Sequence, residues 1–226
     1  EHKNLIPLPL GLSNNYSPKN LRTSDFRSIM FSKEIDLNKL MYLNFNVNTN
    51  TSVRASLESI YKNEQWSYFE NNVLTLEDYS KKLKEFKFVL CPQGNGIDTH
   101  RIWEALYSGA IPIVQKHTSH KNLDGLPILF LDDLRNISKE KLTSYLKKIK
   151  YEDFDFNKLT CSYWLNIMRS NQEEGNSTEN IVNVNYLSDK RFILKFKIIS
   201  KYRSKLKILK YYLKKMGRLI NIKNEN

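Results

Sequence analysis

A glycine-rich turn feeding a helix holds the densest chemistry in this chain. The turn Gly94-Asn95-Gly96-Ile97-Asp98 opens a helix expected to run through Ser108 and to stop at Gly109. Gly94 and Gly96 carry no side chains, so the backbone there can approach a ligand closely. The start of the helix presents unpaired N–H groups and the positive end of the helix dipole, which suits a diphosphate. Glu104 follows Arg101 by three residues and His100 by four, so the three share one helix face. Arg101 can pair with phosphate oxygens in a forked geometry. Glu104 can accept hydrogen bonds from two ribose hydroxyls. A cation for phosphate beside a carboxylate for ribose is what a nucleoside diphosphate requires. The plainer alternative is a surface Arg101–Glu104 pair on a helix capped by Asp98. The turn is not the dinucleotide fingerprint, because its third glycine is missing.

The elements around this turn alternate. Apolar runs predict strands at 40–47, 66–69, 86–91, 111–114 and 127–131. Helical patterns fall at 53–62, 76–85 with Thr75 as N-cap, 138–150 and 159–168. A polar loop is expected at 48–52. Continuously apolar strands between helices imply an α/β fold with a parallel sheet covered on both faces. In such sheets ligands bind outside the carboxyl ends of the strands, which is where Cys91–Gly109 falls. The expected organisation is a linker or start of the fold at 1–38, a Rossmann-like domain at 39–170, a linker at 171–189 and a basic helical tail at 190–226.

The charge is uneven. From Lys190 to Asn226 there are 13 Lys or Arg and one acid, Glu225, so the tail carries the whole net charge of +12 and the body is neutral. A neutral body argues against a nucleic-acid partner. Apolar residues from Phe192 to Ile220 recur at helical spacing among these cations. They form an amphipathic stripe expected to lie on an anionic membrane or to pack against protein. No run of roughly 18 uncharged apolar residues occurs. Cys91 and Cys161 belong to no CxxC pair and are expected to be two buried free thiols. Sequons at Asn50, Asn136 and Asn176 read as chance in an Asn-rich chain.

Two weaker patterns concern metals. Asp153-Phe154-Asp155 has the Asp-x-Asp form but stands far from the glycine turn. His117 and His120 form His-x-x-His without an apparent third ligand, although their loop follows Val114 and can reach a ligand at the strand ends. No metal or other cofactor is expected.

The stretch from Phe88-Val89-Leu90-Cys91-Pro92-Gln93-Gly94 through Arg101-Ile102-Trp103-Glu104-Ala105-Leu106 to Gly109-Ala110-Ile111-Pro112-Ile113-Val114 closely resembles the donor-site signature of exostosin-like glycosyltransferases. A weaker likeness extends from about Pro7 to Trp164. The resemblance implies two facing Rossmann-like domains of the GT-B type, with a nucleotide-sugar donor held mainly by the C-terminal one. It implies ribose at Glu104, phosphates at Arg101 and a second phosphate ligand at Arg54, otherwise a solvated helix residue. The implied reaction transfers a sugar from the nucleotide sugar to a hydroxyl of a glycan or glycoconjugate acceptor.

About 40 residues precede the first strand, whereas an acceptor domain needs roughly 100 or more. The chain, which opens on Glu1, is therefore expected to be a fragment or to work with a separate partner domain, and no catalytic base is named. A cytoplasmic or peripheral-membrane location is expected, or the Golgi lumen if an N-terminal anchor has been removed. Two alternatives remain. One is an α1,3-fucosyltransferase-like enzyme using GDP-fucose, whose Trp-Glu-Ala-Leu pattern is comparable. The other is a non-catalytic nucleotide-binding module.

Overall fold

In the computed structural model the described residues are 6–13, 20–26, 36 and 39–175. The chain forms two compact units, Glu1–Ser170 and Asn171–Asn226. The basic tail and the linker beyond Gly175 lie outside the described residues.

The first unit is built on a five-stranded, all-parallel sheet: β1 (Met41–Leu43), β2 (Ser67–Phe69), β3 (Phe88–Leu90), β4 (Ile111–Gln115) and β5 (Leu129–Leu131), in the order β2-β1-β3-β4-β5. Helices α1 (Thr51–Tyr61), α2 (Leu76–Glu85), α3 (His100–Tyr107), α4 (Lys139–Lys148) and α5 (Cys161–Gly175) complete it. This is the Rossmann-like α/β fold expected from the sequence. The alternation of side chains along each strand explains the two cores. Tyr42, Val89 and Val114 face one cluster, with α2, α3 and Trp164 of α5 packed on it. Met41, Leu43, Phe88, Leu90, Ile111 and Ile113 face the other, under α1 and α4. Because both faces are covered, the central strands β1 and β3 are buried throughout, whereas the edge strands β2 and β5 are only partly buried and β4 ends on the exposed Gln115.

Local chemistry sets the helix ends. The Thr75 side chain accepts from Asp78 N–H at 3.1 Å to start α2. At the end of α3, Gly109 has φ 75°. Gly109 N–H donates to Leu106 O and Ala110 N–H to Ala105 O, both at 3.0 Å, closing a Schellman motif. Pro112 sits in a central strand, yet the β4–β5 register begins only at Ile113↔Leu129, so the N–H it lacks has no partner strand waiting.

Four sequence expectations are corrected. The strand expected at 40–47 ends at Leu43, because Asn46 accepts from Asn48 N–H and turns the chain into a 3-10 turn at Val47–Thr49. The polar loop at 48–52 is thus largely helical, since α1 starts at Thr51. Helix α5 runs beyond residue 168 to Gly175, into the stretch expected as linker. Cys161 is free but exposed, at the first turn of α5, and only Cys91 is a buried thiol. Among the described residues no helix is long and apolar enough to cross a membrane.

Candidate donor site

The strand order reverses direction between β1 and β3, one crossover passing to β2 and the rest to β4 and β5. At such a switch point the loops leaving the two strands part and open a crevice. Here they are the segments after β1 (Asn44 to Asn50) and after β3 (Cys91 to Thr99).

Arg54 spans this crevice. It is 8% exposed, and its three nitrogens donate to three backbone carbonyls: Nε to Gln93 at 3.0 Å, Nη1 to Asn46 at 2.9 Å and Nη2 to Pro92 at 3.1 Å. Its guanidinium also lies 5.5 Å from the Phe45 ring centroid. Arg54 is thus neither a solvated helix residue nor an open cation; it laces the β1 loop to the glycine loop. Asn50 adds a side-chain donation to Gly94 O at 3.4 Å. This explains Gly94: a Cβ there would stand 2.9 Å from Arg54 Nη2. Neither Gly94 nor Gly96 has positive φ. A Cβ on Gly96 would meet only Asp98 O at 3.5 Å, so the protein itself does not demand glycine there. Asn95 and Gly96 are exposed at the crest of the loop.

Helix α3 then begins without a side-chain cap. Its N-cap is Thr99, which makes no capping bond, and Thr99 Oγ1 is buried with no hydrogen-bond partner among the described residues. This sets aside the plainer alternative in which Asp98 caps the helix. Asp98 instead accepts from Leu10 N–H at 2.6 Å and from Trp103 Nε1–H at 3.2 Å. His100 Nδ1–H donates to Gly11 O at 2.8 Å. Asp98 and His100 therefore fasten residues 10–11 against the helix.

Arg101 and Glu104 do not form a surface pair. Glu104 is 3% exposed; its Oε1 accepts from Leu21 N–H at 3.2 Å and its Oε2 from Tyr79 O–H at 2.8 Å. The Arg101 guanidinium lies 5.2 Å from the Tyr79 ring centroid. Its Nη1 is buried without a hydrogen-bond partner among the described residues. Burial opposes the charge on Arg101, but Tyr79, Glu104, Cys91 and Tyr42 outweigh it and its pKa is raised. Burial, then the Arg101 charge, lowers the pKa of Arg54. Two cations are thus held at one crevice with a helix N-terminus between the loops. Burial pushes the Cys91 thiol far up, so it stays protonated.

The other sequence candidates form local contacts of their own. Asp155 Oδ1 accepts from Asn157 N–H at 3.1 Å and caps a short 3-10 turn. His117 Nδ1 accepts from Ser119 N–H at 3.1 Å. Sequence reasoning missed Tyr79, which joins Arg101 to Glu104, and the orphaned Thr99 hydroxyl. Neither carries a local signal, because both depend on tertiary packing.

No curated protein matches the chain. Residues 43–127 match the family model described as the RXYLT1 C-terminal domain, a stretch running from the end of β1 almost to β5. That stretch contains Arg54, Tyr79, the glycine loop, Arg101 and Glu104, so the part of the chain that carries the candidate site is similar to the C-terminal domain which that family model describes.

Proposed function

We propose that this domain holds the nucleotide-sugar donor of a glycosyltransfer reaction, as the donor half of a two-domain, GT-B type enzyme. The observation that carries the reading is Arg101. A buried guanidinium nitrogen without a partner is expensive unless a ligand completes it. It stands at the first turn of an uncapped helix, over a glycine loop, at the switch point of a parallel sheet. An anion with several acceptor oxygens satisfies all three features at once.

In this reading the diphosphate lies across Gly94, Asn95 and Gly96 and the first turn of α3, bound by Arg101. Arg54 is a brace that retains two further N–H groups for a phosphate oxygen. Glu104 takes the ribose through the lone pairs that Leu21 and Tyr79 leave unused. Asp98 and His100 keep residues 10–11 at the edge of the site. When the acceptor oxygen bonds to the anomeric carbon, the bond from that carbon to the diphosphate oxygen breaks and the acceptor hydroxyl gives up its proton. Arg101 and the helix terminus stabilise the negative charge that grows on the leaving diphosphate. These fixed positive groups supply what a metal supplies elsewhere, so donor binding is metal-independent in this scheme.

Calorimetric titration of the full chain with UDP, GDP and their common sugars tests the reading. Binding of one nucleoside diphosphate series in the micromolar range supports it. Absence of binding by every member refutes it. A GDP preference, with GDP-fucose tightest, moves the assignment to the fucosyltransferase-like alternative. Release of free sugar from the bound donor separates an enzyme from a pure binding module.

A further inference from the structure

A second cavity opens between the carboxyl ends of β3 and β4. Its volume is about 120 Å³, and Cys91, Gln93, Ile97, Gln115, His117 and His120 line it. This is small beside ordinary ligand sites of roughly 300–1,000 Å³ and suits one polar end of a ligand. His120 is 3% exposed; neither ring nitrogen makes a hydrogen bond of good geometry among the described residues, although the Gln115 backbone comes close enough to favour the protonated ring. Phe130 and His117 hold the ring, with centroids 6.0 and 6.3 Å away. Burial is the largest influence on His120 and lowers its pKa, so the imidazole is neutral at pH 7. A neutral imidazole presents one N–H donor and one acceptor nitrogen. Neither is held in a well-formed bond here, in a cavity whose other walls are polar enough to admit hydroxyl groups.

The place of the cavity matters as much as its chemistry. Strand β3 stands between β1 and β4. On the β1 side Arg101 is surrounded by Tyr42 of β1 and Tyr79 of α2, and Tyr79 leads to Glu104. On the β4 side is His120. Cys91 and Gln93 belong to both sides: Cys91 feels the Arg101 charge, and the Gln93 carbonyl holds Arg54. A donor with its diphosphate on the glycine loop and its ribose toward Glu104 therefore extends its other end toward β4.

We propose that this cavity is the subsite for the sugar of the donor, with His120 donating to one sugar oxygen and accepting from a sugar hydroxyl. The assignment rests on the donor-binding reading above. It makes His120 a specificity-determining residue, in the loop whose position after Val114 lets it reach a ligand at the strand ends.

The test compares UDP and GDP with UDP-glucose, UDP-xylose, UDP-N-acetylglucosamine and GDP-fucose by calorimetry, on the full chain. His120→Phe keeps the ring and removes both nitrogens; His120→Gln keeps one donor and one acceptor. Wild type is expected to bind one nucleotide sugar at least tenfold more tightly than the matching diphosphate. In His120→Phe that increment disappears while diphosphate affinity stays within about twofold, and in His120→Gln part of it returns. Melting curves of both variants confirm that they are folded, and His120→Gln alone decides the matter if His120→Phe is not. Three results overturn the proposal. Wild type binds the diphosphate but gains nothing from any sugar; the variants lose diphosphate and sugar nucleotide affinity equally; or they lose neither, leaving a merely hydrated cavity. In each of these the donor-site reading survives. If wild type binds no nucleotide at all, that reading falls and this one with it.

Discussion

Replacing Arg54 separates a structural brace from a phosphate ligand. The guanidinium makes three hydrogen bonds of 2.9–3.1 Å to the carbonyls of Asn46, Pro92 and Gln93. Each hydrogen bond to a charged group contributes about 1.5–3 kcal/mol, and bonds from one side chain do not add fully. Lysine at this position has one nitrogen and reaches one carbonyl, so two bonds are lost. Arg54→Lys should therefore lower stability by about 2–4 kcal/mol. For a domain of this size that is a fall in Tm of roughly 5–15 °C. Differential scanning calorimetry gives the stability and titration with UDP or GDP gives the affinity. The brace account expects stability to drop, and affinity to drop with it because the glycine loop loses its tie to the β1 loop. If Arg54→Lys keeps Tm within about 1 °C and loses only affinity, Arg54 is a ligand and the brace argument is wrong.

Three further outcomes follow from the same geometry. Glu104→Ala removes the acceptor for Leu21 N–H and Tyr79 O–H, and nucleotide affinity should weaken by about 1–3 kcal/mol, or roughly 5–150-fold; unchanged affinity in a folded Glu104→Ala protein would remove the ribose role. Nucleotide binding should be unaltered by EDTA, because Arg101 and the α3 terminus carry the positive charge; abolition by chelation with rescue by Mn²⁺ would bring Asp153 and Asp155 back into consideration. Native protein should show one thiol reactive toward an aromatic disulfide at neutral pH, Cys161, with Cys91 reacting only after denaturation; loss of both thiols at equal rates in the native state contradicts the burial of Cys91.

How much of this was legible in the sequence depends on whether the signal was local. Helix α2 falls on the predicted residues, since Thr75 and the spacing of Tyr79 and Leu83 act within one turn of each other. The stop at Gly109 is equally local. Strand ends were overestimated because Phe45, at 7% exposed, is apolar and buried without being in the sheet, while Asn46 pulls the chain into a turn. The glycine loop and Arg101 were legible as a pattern. The commitments of Arg54, Asp98, His100 and Glu104 were not, because their partners lie 38 to 89 residues away, apart from Tyr79, Trp103 and Asn46. The same holds for His120, whose burial follows from β4, β5 and the loop between them folding together.

The account stands most directly on the orphaned nitrogen of Arg101. Arg101→Met keeps much of the side-chain length and its contact with Tyr79 while removing the charge. Titration of wild type and Arg101→Met with the best-binding nucleoside diphosphate measures what that charge does. The account predicts a loss of at least tenfold in affinity in a protein that still folds but melts lower, because Met also removes the charge that Tyr79 and Glu104 favour in the ligand-free domain. Equal affinity in the two folded proteins would contradict the claim that Arg101 is held in readiness for the donor's phosphates.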